Sequence, residues 1–488
     1  ETLSVRFIRE NKIVPLELKQ DTLKIVMADP HNQAVIDAIK VAVSHNLEIY
    51  TSECQAIEDH LEKFYSQEMQ DINKIIENIE DDSSVHYIHE EEHDIGHLQD
   101  LASEAPIIKL VNVIITRAIE SRASDIHIEP FDDEVKVRYR IDGVLHDVEI
   151  IPKKLQAAIF SRIKIMAKLN IAERRLPQDG RIKLKVGGME IDVRVSSIPI
   201  LHGESIVMRL LGQSGVKIDM EQLGFPVDSL ATFNKIIKNP NGIILVTGPT
   251  GSGKTTTLYG ALDKINSPDK KIITVEDPIE YHLKGINQIQ VMPQIGLDFP
   301  NILRHIVRQD PDIIMIGEIR DLETAEIAIQ SSLTGHLVFS TLHTNDAPTA
   351  ITRLLDIGVP NFLLAATIRG ILAQRLVRVI CPYCRESDNE AIKDERTKEL
   401  FTGANVTLYR GRGCEKCAYT GFLGRSGIYE LLTLNASIHN LIIKNADVQQ
   451  IRAAARKNGM RTLMEDGLLK VKDGVTTINE IFRATQEL

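Results

Sequence analysis

The sequence has 488 residues, of which 43% are hydrophobic and 26% charged, and is long enough for about three domains of roughly 150 residues each. Such a chain can bury a substantial core, which excludes intrinsic disorder as its dominant state, and no run approaches the roughly 18 consecutive apolar residues of a membrane-spanning helix. The formal net charge of −11 arises between Glu68 and Glu104, so the remainder is neutral and has no obvious basic track for nucleic acid.

Residues 1–67 are predicted to form a small α/β module. Apolar residues alternate at Leu23, Ile25 and Met27, which is typical of a strand, and the next residues along the chain have helical spacing. The sequence begins at Glu1 rather than at a methionine, so we expect natural residues upstream of it.

Residues 68–104 are predicted to be a flexible acidic linker. This stretch holds twelve acidic residues and one lysine, whose mutual repulsion opposes a packed core. Four histidines would share one face if the segment were helical and could mimic a metal site, although the polar composition favours a solvated tether. They are His86, His89, His93 and His97.

Residues 105–213 are predicted to form a second α/β domain, and residues 214–227 a linker between it and a third domain. A helix with one apolar face precedes strands in which apolar residues alternate with charged ones. The polar face of the sheet carries arginines, among them Arg194 and Arg209. An arginine on such a face is most often only solvated.

Residues 228–488 show buried strands separated by helical stretches. This pattern is typical of a mostly parallel sheet with helices on both faces, an α/β architecture. The predicted strands are residues 242–247, 271–275, 312–316 and 337–342.

The first of these strands leads into a complete phosphate-loop motif, GxxxxGK[ST]. Glycines allow successive backbone N–H groups to approach phosphate oxygens, and the helix after the loop adds its positive end. Lys254 would bind the β- and γ-phosphates, and the Thr255 hydroxyl would bind Mg²⁺. The motif therefore predicts a nucleoside triphosphate site, formed by Gly248, Pro249, Thr250, Gly251, Ser252, Gly253, Lys254, Thr255 and Thr256.

Carboxylates follow two other predicted strands. Glu318 comes after the strand at 312–316, and its side chain could position a magnesium-bound water. A second cluster, from Glu276 to Glu280, comes after the strand at 271–275 and should lie beside the phosphate loop, because parallel strands end at one sheet edge.

Two histidines, His336 and His343, flank the strand at 337–342. They could sense or orient groups around the phosphates, or they could be ordinary packed and surface histidines. Spacing alone leaves both interpretations open.

Four of the five cysteines form two CxxC pairs, separated by a long interval. Four thiolates give a closed tetrahedral site, so the pairs predict a structural zinc module over residues 381–425 in a reducing compartment. Two disulfides or free thiols are the alternative, which the CxxC spacing disfavours. The predicted ligands are Cys381, Cys384, Cys414 and Cys417.

Together, these motifs resemble the hexameric ATPases of bacterial type II secretion and, more broadly, the type IV pilus assembly and retraction motors. The resemblance runs from about residue 100 to the C-terminus, with a weaker likeness over the first module. It rests on residues 122–130, 175–181, 248–255, 274–280, 308–312, 317–321 and 334–345 and on the cysteine segment.

The resemblance implies a RecA-like P-loop ATPase domain preceded by a PAS-like α/β domain and a partner-docking module. It implies that Glu280 activates the attacking water, that Glu318 is the Walker B glutamate, and that His336 and His343 are the family's paired histidines. It further implies that a rotating domain swings arginines onto the nucleotide. These would be Arg194 and Arg209, with Arg304, Arg308 and Arg320 as further candidates on the ATPase domain.

The function implied is that of a Mg²⁺-dependent ATPase motor which drives pseudopilus assembly and protein export. Such motors are cytoplasmic hexamers, which reach the inner membrane through a secretion protein bound by the N-terminal module and through a platform protein; acidic phospholipids are candidate partners. The zinc module is typical of the secretion and pilus-extension branch. A pilus-extension ATPase, a RecA-like nucleic-acid translocase and a non-enzymatic zinc adapter are the alternatives.

Overall fold

The structure is a computed structural model that describes parts of residues 12–57 and residues 101–186, 189–211, 219–388, 391, 395–401 and 406–485. The acidic linker up to residue 100, with its four histidines, lies outside the described residues. Within the described part of the chain, no helix combines the length and apolarity needed to span a bilayer.

The first module contains a three-stranded sheet with the order β1-β2-β3. The strands are β1 (Ile13–Lys19), β2 (Thr22–Met27) and β3 (Asn46–Thr51). The predicted strand is confirmed as β2, and its residues Ile25 and Met27 are buried. They pack against Val35, Ile36 and Ile39, which have helical conformation.

The second domain is a six-stranded antiparallel sheet with the order β6-β5-β4-β9-β8-β7, accompanied by two helices. The helices are α1 (Ala105–Glu120) and α2 (Gln156–Ala167). The strands are β4 (Ala123–Pro130), β5 (Glu134–Ile141), β6 (Val144–Pro152), β7 (Gln178–Val186), β8 (Met189–Ile200) and β9 (Gly203–Leu211).

The apolar face of α1 packs on this sheet, because its residues recur every three or four positions and so lie along one side of the helix. Tyr139 of β5 is buried there and donates a hydrogen bond to the carbonyl oxygen of Ile114 at 2.6 Å. Leu101 and Ala102 are also buried, so the packed domain begins before the predicted boundary at residue 105.

A seven-stranded sheet forms the centre of the third domain, with the order β12-β11-β13-β14-β10-β15-β18. The first six strands are parallel and β18 is antiparallel to β15. The strands are β10 (Gly242–Thr247), β11 (Ile272–Glu276), β12 (Asn287–Gln290), β13 (Ile313–Ile316), β14 (Leu337–Leu342), β15 (Ile368–Ile380) and β18 (Phe422–Thr433).

Helices cover both faces of this sheet. Ile243 and Leu245 of β10 belong to one apolar cluster, whereas Ile244 and Val246 belong to another, as the alternation of side chains along a strand requires. The helices are α3 (Val227–Ile236), α4 (Lys254–Ile265), α5 (Phe299–Ile306), α6 (Leu322–Leu333), α7 (Ala347–Ile357), α8 (Asn361–Thr367), α9 (Glu395–Leu400), α10 (Ala436–Ile443), α11 (Val448–Lys457), α12 (Leu463–Lys472) and α13 (Ile478–Thr485).

The linker predicted over residues 214–227 is too long at its C-terminal end. Met220 and Phe225 are buried in the core of the third domain, and α3 begins at Val227. Because two of its few apolar residues are packed, the segment from 219 onward is part of that domain.

Within the part of the chain that the structure describes, hydrogen bonds and ion pairs join the second and third domains. Arg194 of β8 donates a hydrogen bond to the carbonyl oxygen of Ile279 at 2.8 Å. In addition, the carboxylate of Asp142 accepts a hydrogen bond from the backbone N–H of Gly424 at 3.1 Å and lies 3.9 Å from Arg425.

Candidate active site and metal centre

The phosphate loop connects β10 to α4, as the sequence predicts. Gly248 and Gly253 both have positive φ angles, of 151° and 87°. A Cβ at Gly248 would lie 2.5 Å from the carbonyl oxygen of Gln374, and one at Gly253 would lie 2.7 Å from the Gln374 amide. Glycine is therefore required at both positions, because the loop turns tightly against β15.

Lys254 begins α4 and reaches back across the loop. Its Nζ donates hydrogen bonds to the carbonyl oxygens of Gly248 at 2.8 Å and Pro249 at 3.1 Å. Burial lowers the pKa of Lys254 to about 8, while the charge of Glu318 opposes that shift. An ammonium in such surroundings gains by binding an anion, which suits the phosphates of a nucleotide.

Ser252 provides a direct test of whether the loop fits phosphate. Its Oγ is buried and has no hydrogen-bond partner among the described residues. A buried hydroxyl without a partner is costly, and a phosphate oxygen would supply the missing acceptor. Thr255, half-buried in the first turn of α4, adds a hydroxyl of the kind that Mg²⁺ accepts beside such a loop.

Glu318 lies in the turn after β13, at the same edge of the sheet. It forms an ion pair with Arg320, and one of its carboxylate oxygens lies 3.3 Å from Nε2 of His343. Burial and the Lys254 ammonium lower the pKa of His343, while Glu318 opposes them. The structure thus brings Glu318, His343 and Lys254 into one electrostatic group.

Glu276 and Glu280, which the sequence groups together, occupy different environments. Glu276 is buried at the end of β11 and accepts hydrogen bonds from Thr274 Oγ1 at 2.6 Å, Gln288 Nε2 at 3.1 Å and the Tyr259 hydroxyl. With its oxygens occupied by protein donors, Glu276 has a structural role. The side chain of Glu280 is 36% exposed and is available to a water molecule.

Two tyrosines fix the loop that carries Glu280, and no sequence pattern indicated them. The ring of Tyr281 meets that of Tyr259 of α4 edge-on, with centroids 4.6 Å apart. This contact joins the loop to α4, the helix that comes after the phosphate loop.

Arg194 approaches this loop from the second domain. One Nη lies 3.8 Å from a carboxylate oxygen of Glu280, and the other donates to Ile279. Burial lowers the pKa of Arg194, while the charge of Glu280 opposes that shift. Arg194 is therefore not simply solvated at the surface, as an arginine on the polar face of a strand most often is.

The remaining candidate arginines are dispersed. Arg209 donates a hydrogen bond to Asp125 within its own domain. Arg304 forms an ion pair with Glu323, and Arg308 is exposed. Of the three arginines proposed on the ATPase domain, Arg320 is the one that the structure pairs with Glu318.

The two histidines lie at opposite ends of β14. His343 lies beside Glu318, but His336 precedes the strand, and its carbonyl oxygen accepts a hydrogen bond from Gly242 at the start of β10. Six strand residues of about 3.3 Å each separate the two, so His336 does not reach the phosphate loop of its own chain. Its Nδ1 contacts the carbonyl oxygen of Ser331 at 2.8 Å.

Gln374 and Arg375 of β15 were not singled out by any sequence motif. Gln374 lies under the phosphate loop and accepts a hydrogen bond from Thr257 Oγ1 at 2.7 Å. Arg375 is buried and donates to the side-chain oxygen of Asn345 at 2.9 Å, two residues beyond His343. Both contacts span long sequence separations, and no local pattern predicts them.

The four cysteines of the predicted zinc module converge, with all ligand sulfurs within 4.8 Å of one another. Three of the sulfur–sulfur distances are 3.8 Å (Cys381–Cys414), 3.9 Å (Cys384–Cys417) and 3.7 Å (Cys414–Cys417). These values are too long for disulfides. Zinc–sulfur bonds of about 2.3 Å in a tetrahedron require sulfurs about 3.8 Å apart, so the cluster fits zinc.

A short hairpin completes the module around this cluster. It pairs β16 (Arg385–Ser387) with β17 (Tyr409–Gly411) in antiparallel register. With four thiolates in place, the site leaves no ligand position for water, as a structural metal site requires.

Comparison with known proteins identifies the family. Residues 100–483 match the family described as "Type II/IV secretion system protein". The chain belongs to this family. Residues 1–71 match the MshEN domain, so the two matched regions together cover most of the chain.

Several members of the family are similar along most of their length. Type II secretion system protein E of Xanthomonas campestris is 53% identical over 488 residues, which cover 99% of this chain and 85% of that protein. Type IV pilus assembly ATPase PilB of Myxococcus xanthus is 46% identical, with 96% and 83% covered. Type II secretion system ATPase E of Vibrio cholerae is 45% identical, with 93% and 90% covered.

Solved structures of secretion ATPases share the RecA-like fold. The pilus retraction motor PilT with bound ADP has a TM-score of 0.50 and 28% identity, with 77% of this chain and 97% of that chain covered. The ATPase DotB of Legionella pneumophila has a TM-score of 0.56 and 20% identity, with 76% and 93% covered, and shows the fold alone.

Proposed function

We propose that this chain is a cytoplasmic, Mg²⁺-dependent ATPase that drives pseudopilus assembly and protein export in a bacterial type II secretion system. The observation that carries the proposal is the grouping of Lys254, Glu318 and His343 at the phosphate loop. The relatives named type II secretion system protein E support the choice of system.

In the proposed mechanism, the loop amides and Lys254 bind the triphosphate, while Glu280 orients the attacking water and accepts its proton. Glu318 and Thr255 would hold Mg²⁺, which would neutralise charge on the phosphates. Arg194 and Arg209 supply positive charge to the transition state from the second domain. Hydrolysis then depends on the orientation of two domains, which is how it could produce motion.

Within this scheme, His343 orients Glu318, and His336 has no assigned role. Zinc is proposed as a structural metal held by the four cysteines, which would stabilise the hairpin around them. Its chemistry takes no part in hydrolysis, because the cluster lies outside the phosphate loop and its ligand set is closed.

We further propose that the chain assembles as a hexamer at the inner membrane. The N-terminal module would bind the cytoplasmic domain of a secretion protein there, with a platform protein and acidic phospholipids as additional contacts. The MshEN match over residues 1–71 supports a separate docking module.

The experiment that tests this function is complementation. The full chain is expressed in two bacterial strains, one that lacks its type II secretion ATPase and one that lacks its pilus-extension ATPase. We expect secretion of exoproteins to return in the first strain, and the Lys254→Ala chain to fail there. Rescue of neither strain by an expressed, folded chain would contradict the proposal.

Pilus extension is the second candidate function, because PilB of Myxococcus xanthus is 46% identical to this chain. Rescue of pilus extension without rescue of secretion would favour it. Hydrolysis that is stimulated by single-stranded DNA would instead indicate a nucleic-acid translocase.

A further inference from the structure

A row of charged residues crosses five strands of the second domain. The strand register places Arg181, Arg194, Arg209, Asp125 and Arg140 opposite one another, one residue each from β7, β8, β9, β4 and β5. Like charges directly opposite one another destabilise a sheet. Arg194 lies opposite an arginine on each side, and these two like-charge pairs reduce sheet stability. Anion binding explains them better than strand pairing does.

Asp125 is the acidic member of this row and is buried, with 5% of its surface exposed. One carboxylate oxygen accepts a hydrogen bond from Arg209 Nε at 2.9 Å. The other accepts from Ser124 Oγ at 2.8 Å and lies 3.6 Å from Arg140 Nε. Both oxygens are thus engaged by protein groups, and Asp125 itself is not placed to touch a ligand.

Arg209 and Arg194 differ in the contacts that their side chains make. The structure gives its side chain one hydrogen bond to the described residues, through Nε to Asp125, and leaves 57% of that side chain exposed. The two Nη groups, which form the fork that binds phosphate oxygens, remain available. Arg194, by contrast, already contacts the loop that carries Glu280.

We propose that Asp125 is a positioning residue for ATP hydrolysis, which fixes Arg209 through Nε so that its free Nη groups are presented to the nucleotide phosphates. The inference rests on the proposed function, since it requires Arg209 to act on the nucleotide. It also gives a role to the segment at residues 122–130, to which the family resemblance assigns none.

A purely structural role for Asp125 makes a different prediction. If Asp125 served only to neutralise the arginine row, its loss would lower stability, while the folded fraction would keep its normal turnover. A positioning role lowers kcat through Arg209, so a second change at Arg209 should have no additional effect.

The test is a double-mutant cycle on the full chain, with ATP turnover and the unfolding temperature measured for each variant. The variants are Asp125→Asn, which keeps the shape of the side chain but removes its charge, Arg209→Lys, and the double variant. The matched control is Asp147→Asn, an exposed aspartate on β6 of the same sheet.

We expect Asp125→Asn and Arg209→Lys each to lower kcat on the order of 10- to 100-fold, with little change in KM for ATP, because a guanidinium is displaced rather than a binding surface lost. The double variant should be no slower than Arg209→Lys, and the control should match wild type. Asp125→Glu, which keeps the charge and shifts it by one methylene, should fold and show a reduced kcat.

The outcomes separate the inference from the proposed function. If Arg209→Lys lowers kcat but Asp125→Asn or Asp125→Glu retains full turnover, the positioning role is overturned and the function stands. If the two losses multiply in the double variant, Asp125 does not act through Arg209. If Arg209→Lys is fully active, both the role of Arg209 and this inference fail.

Discussion

Arg194 lies 3.8 Å from Glu280 although the two residues belong to different domains. The contact is supported by the hydrogen bond from Arg194 to the carbonyl oxygen of Ile279 at 2.8 Å. The group proposed to orient water is therefore paired with a group proposed to stabilise the transition state. This pairing links the orientation of the second domain to the chemistry of the third.

Replacing Arg194 should uncouple the orientation of the second domain from ATP hydrolysis in the third. Because an arginine that stabilises phosphoryl transfer contributes on the order of 10³-fold or more to kcat, Arg194→Ala should lower ATP turnover by about that factor. Arg194→Lys retains the charge but not the planar fork, and should give an intermediate rate. Phosphate release by each purified variant measures its rate of ATP turnover. Turnover of Arg194→Ala within about twofold of wild type would remove Arg194 from the site.

The cysteine cluster predicts one zinc ion per chain. Cys414→Ser removes one of four thiolates, so zinc content measured by elemental analysis should fall, and proteolysis should become faster within residues 381–425. Nucleotide binding should persist, because the phosphate loop shares no ligand with the cluster. Cys54→Ser is the matched control and should retain its zinc. A wild-type chain purified without chelators that contains no zinc would contradict this assignment.

The buried pair Lys164–Glu204 should be important for the stability of the second domain. Lys164 Nζ lies 2.5 Å from Glu204 and donates to the carbonyl oxygen of Glu173 at 2.7 Å. Glu204→Gln leaves the ammonium buried without its counter-charge, which should cost about 3–5 kcal/mol of that domain's unfolding free energy.

The control for this pair is Glu134→Gln, which breaks the more exposed Lys136–Glu134 contact at 3.3 Å. Exposed pairs contribute about 0–1 kcal/mol, so this variant should unfold almost as wild type does. Thermal unfolding that resolves the second domain measures the difference. Equal unfolding temperatures for Glu204→Gln and Glu134→Gln would show that the buried pair of Lys164 does not determine the stability of the second domain.

Glu430 of β18 should make stability depend on pH. Burial raises the pKa of Glu430 from 4.5 to about 7, while a hydrogen bond from the backbone N–H of Ala347 opposes that shift. The folded state therefore binds more protons than the unfolded state between those values, and this group's contribution to stability is lost as pH rises through about 7.

Glu430→Gln removes this titration and keeps an oxygen for Ala347 to donate to. We expect its unfolding temperature to exceed that of wild type at pH 8 by more than it does at pH 5. The measurement is a pair of thermal scans at each pH. A difference that is the same at both values would show that Glu430 does not titrate in this range.

Local patterns predicted much of the fold, because they record burial directly. The strands at 242–247 and 337–342 have the predicted limits, since continuous apolar residues mark strands covered on both faces. The order of the strands and the antiparallel β18 were not predictable in this way. Both depend on contacts between distant segments, such as those of β15 with β18.

The same distinction between local patterns and long-range contacts applies to the candidate site. The residues of the phosphate loop and the cysteines were predictable because adjacent residues provide their chemistry. The contact of Arg194 with Ile279 joins residues 85 positions apart, and Gln374 supports the loop from another strand. The positions of His336 and His343 show the opposite case, because two residues that flank one strand cannot both lie at its C-terminal end.

The most direct measurement of the central claim compares ATP binding and turnover in Glu280→Gln with those in Glu326→Gln, an exposed glutamate of α6. If Glu280 activates the attacking water, Glu280→Gln should bind ATP as wild type does but hydrolyse it about 10²- to 10⁴-fold more slowly, while Glu326→Gln should do both normally. Full turnover by Glu280→Gln would contradict the account.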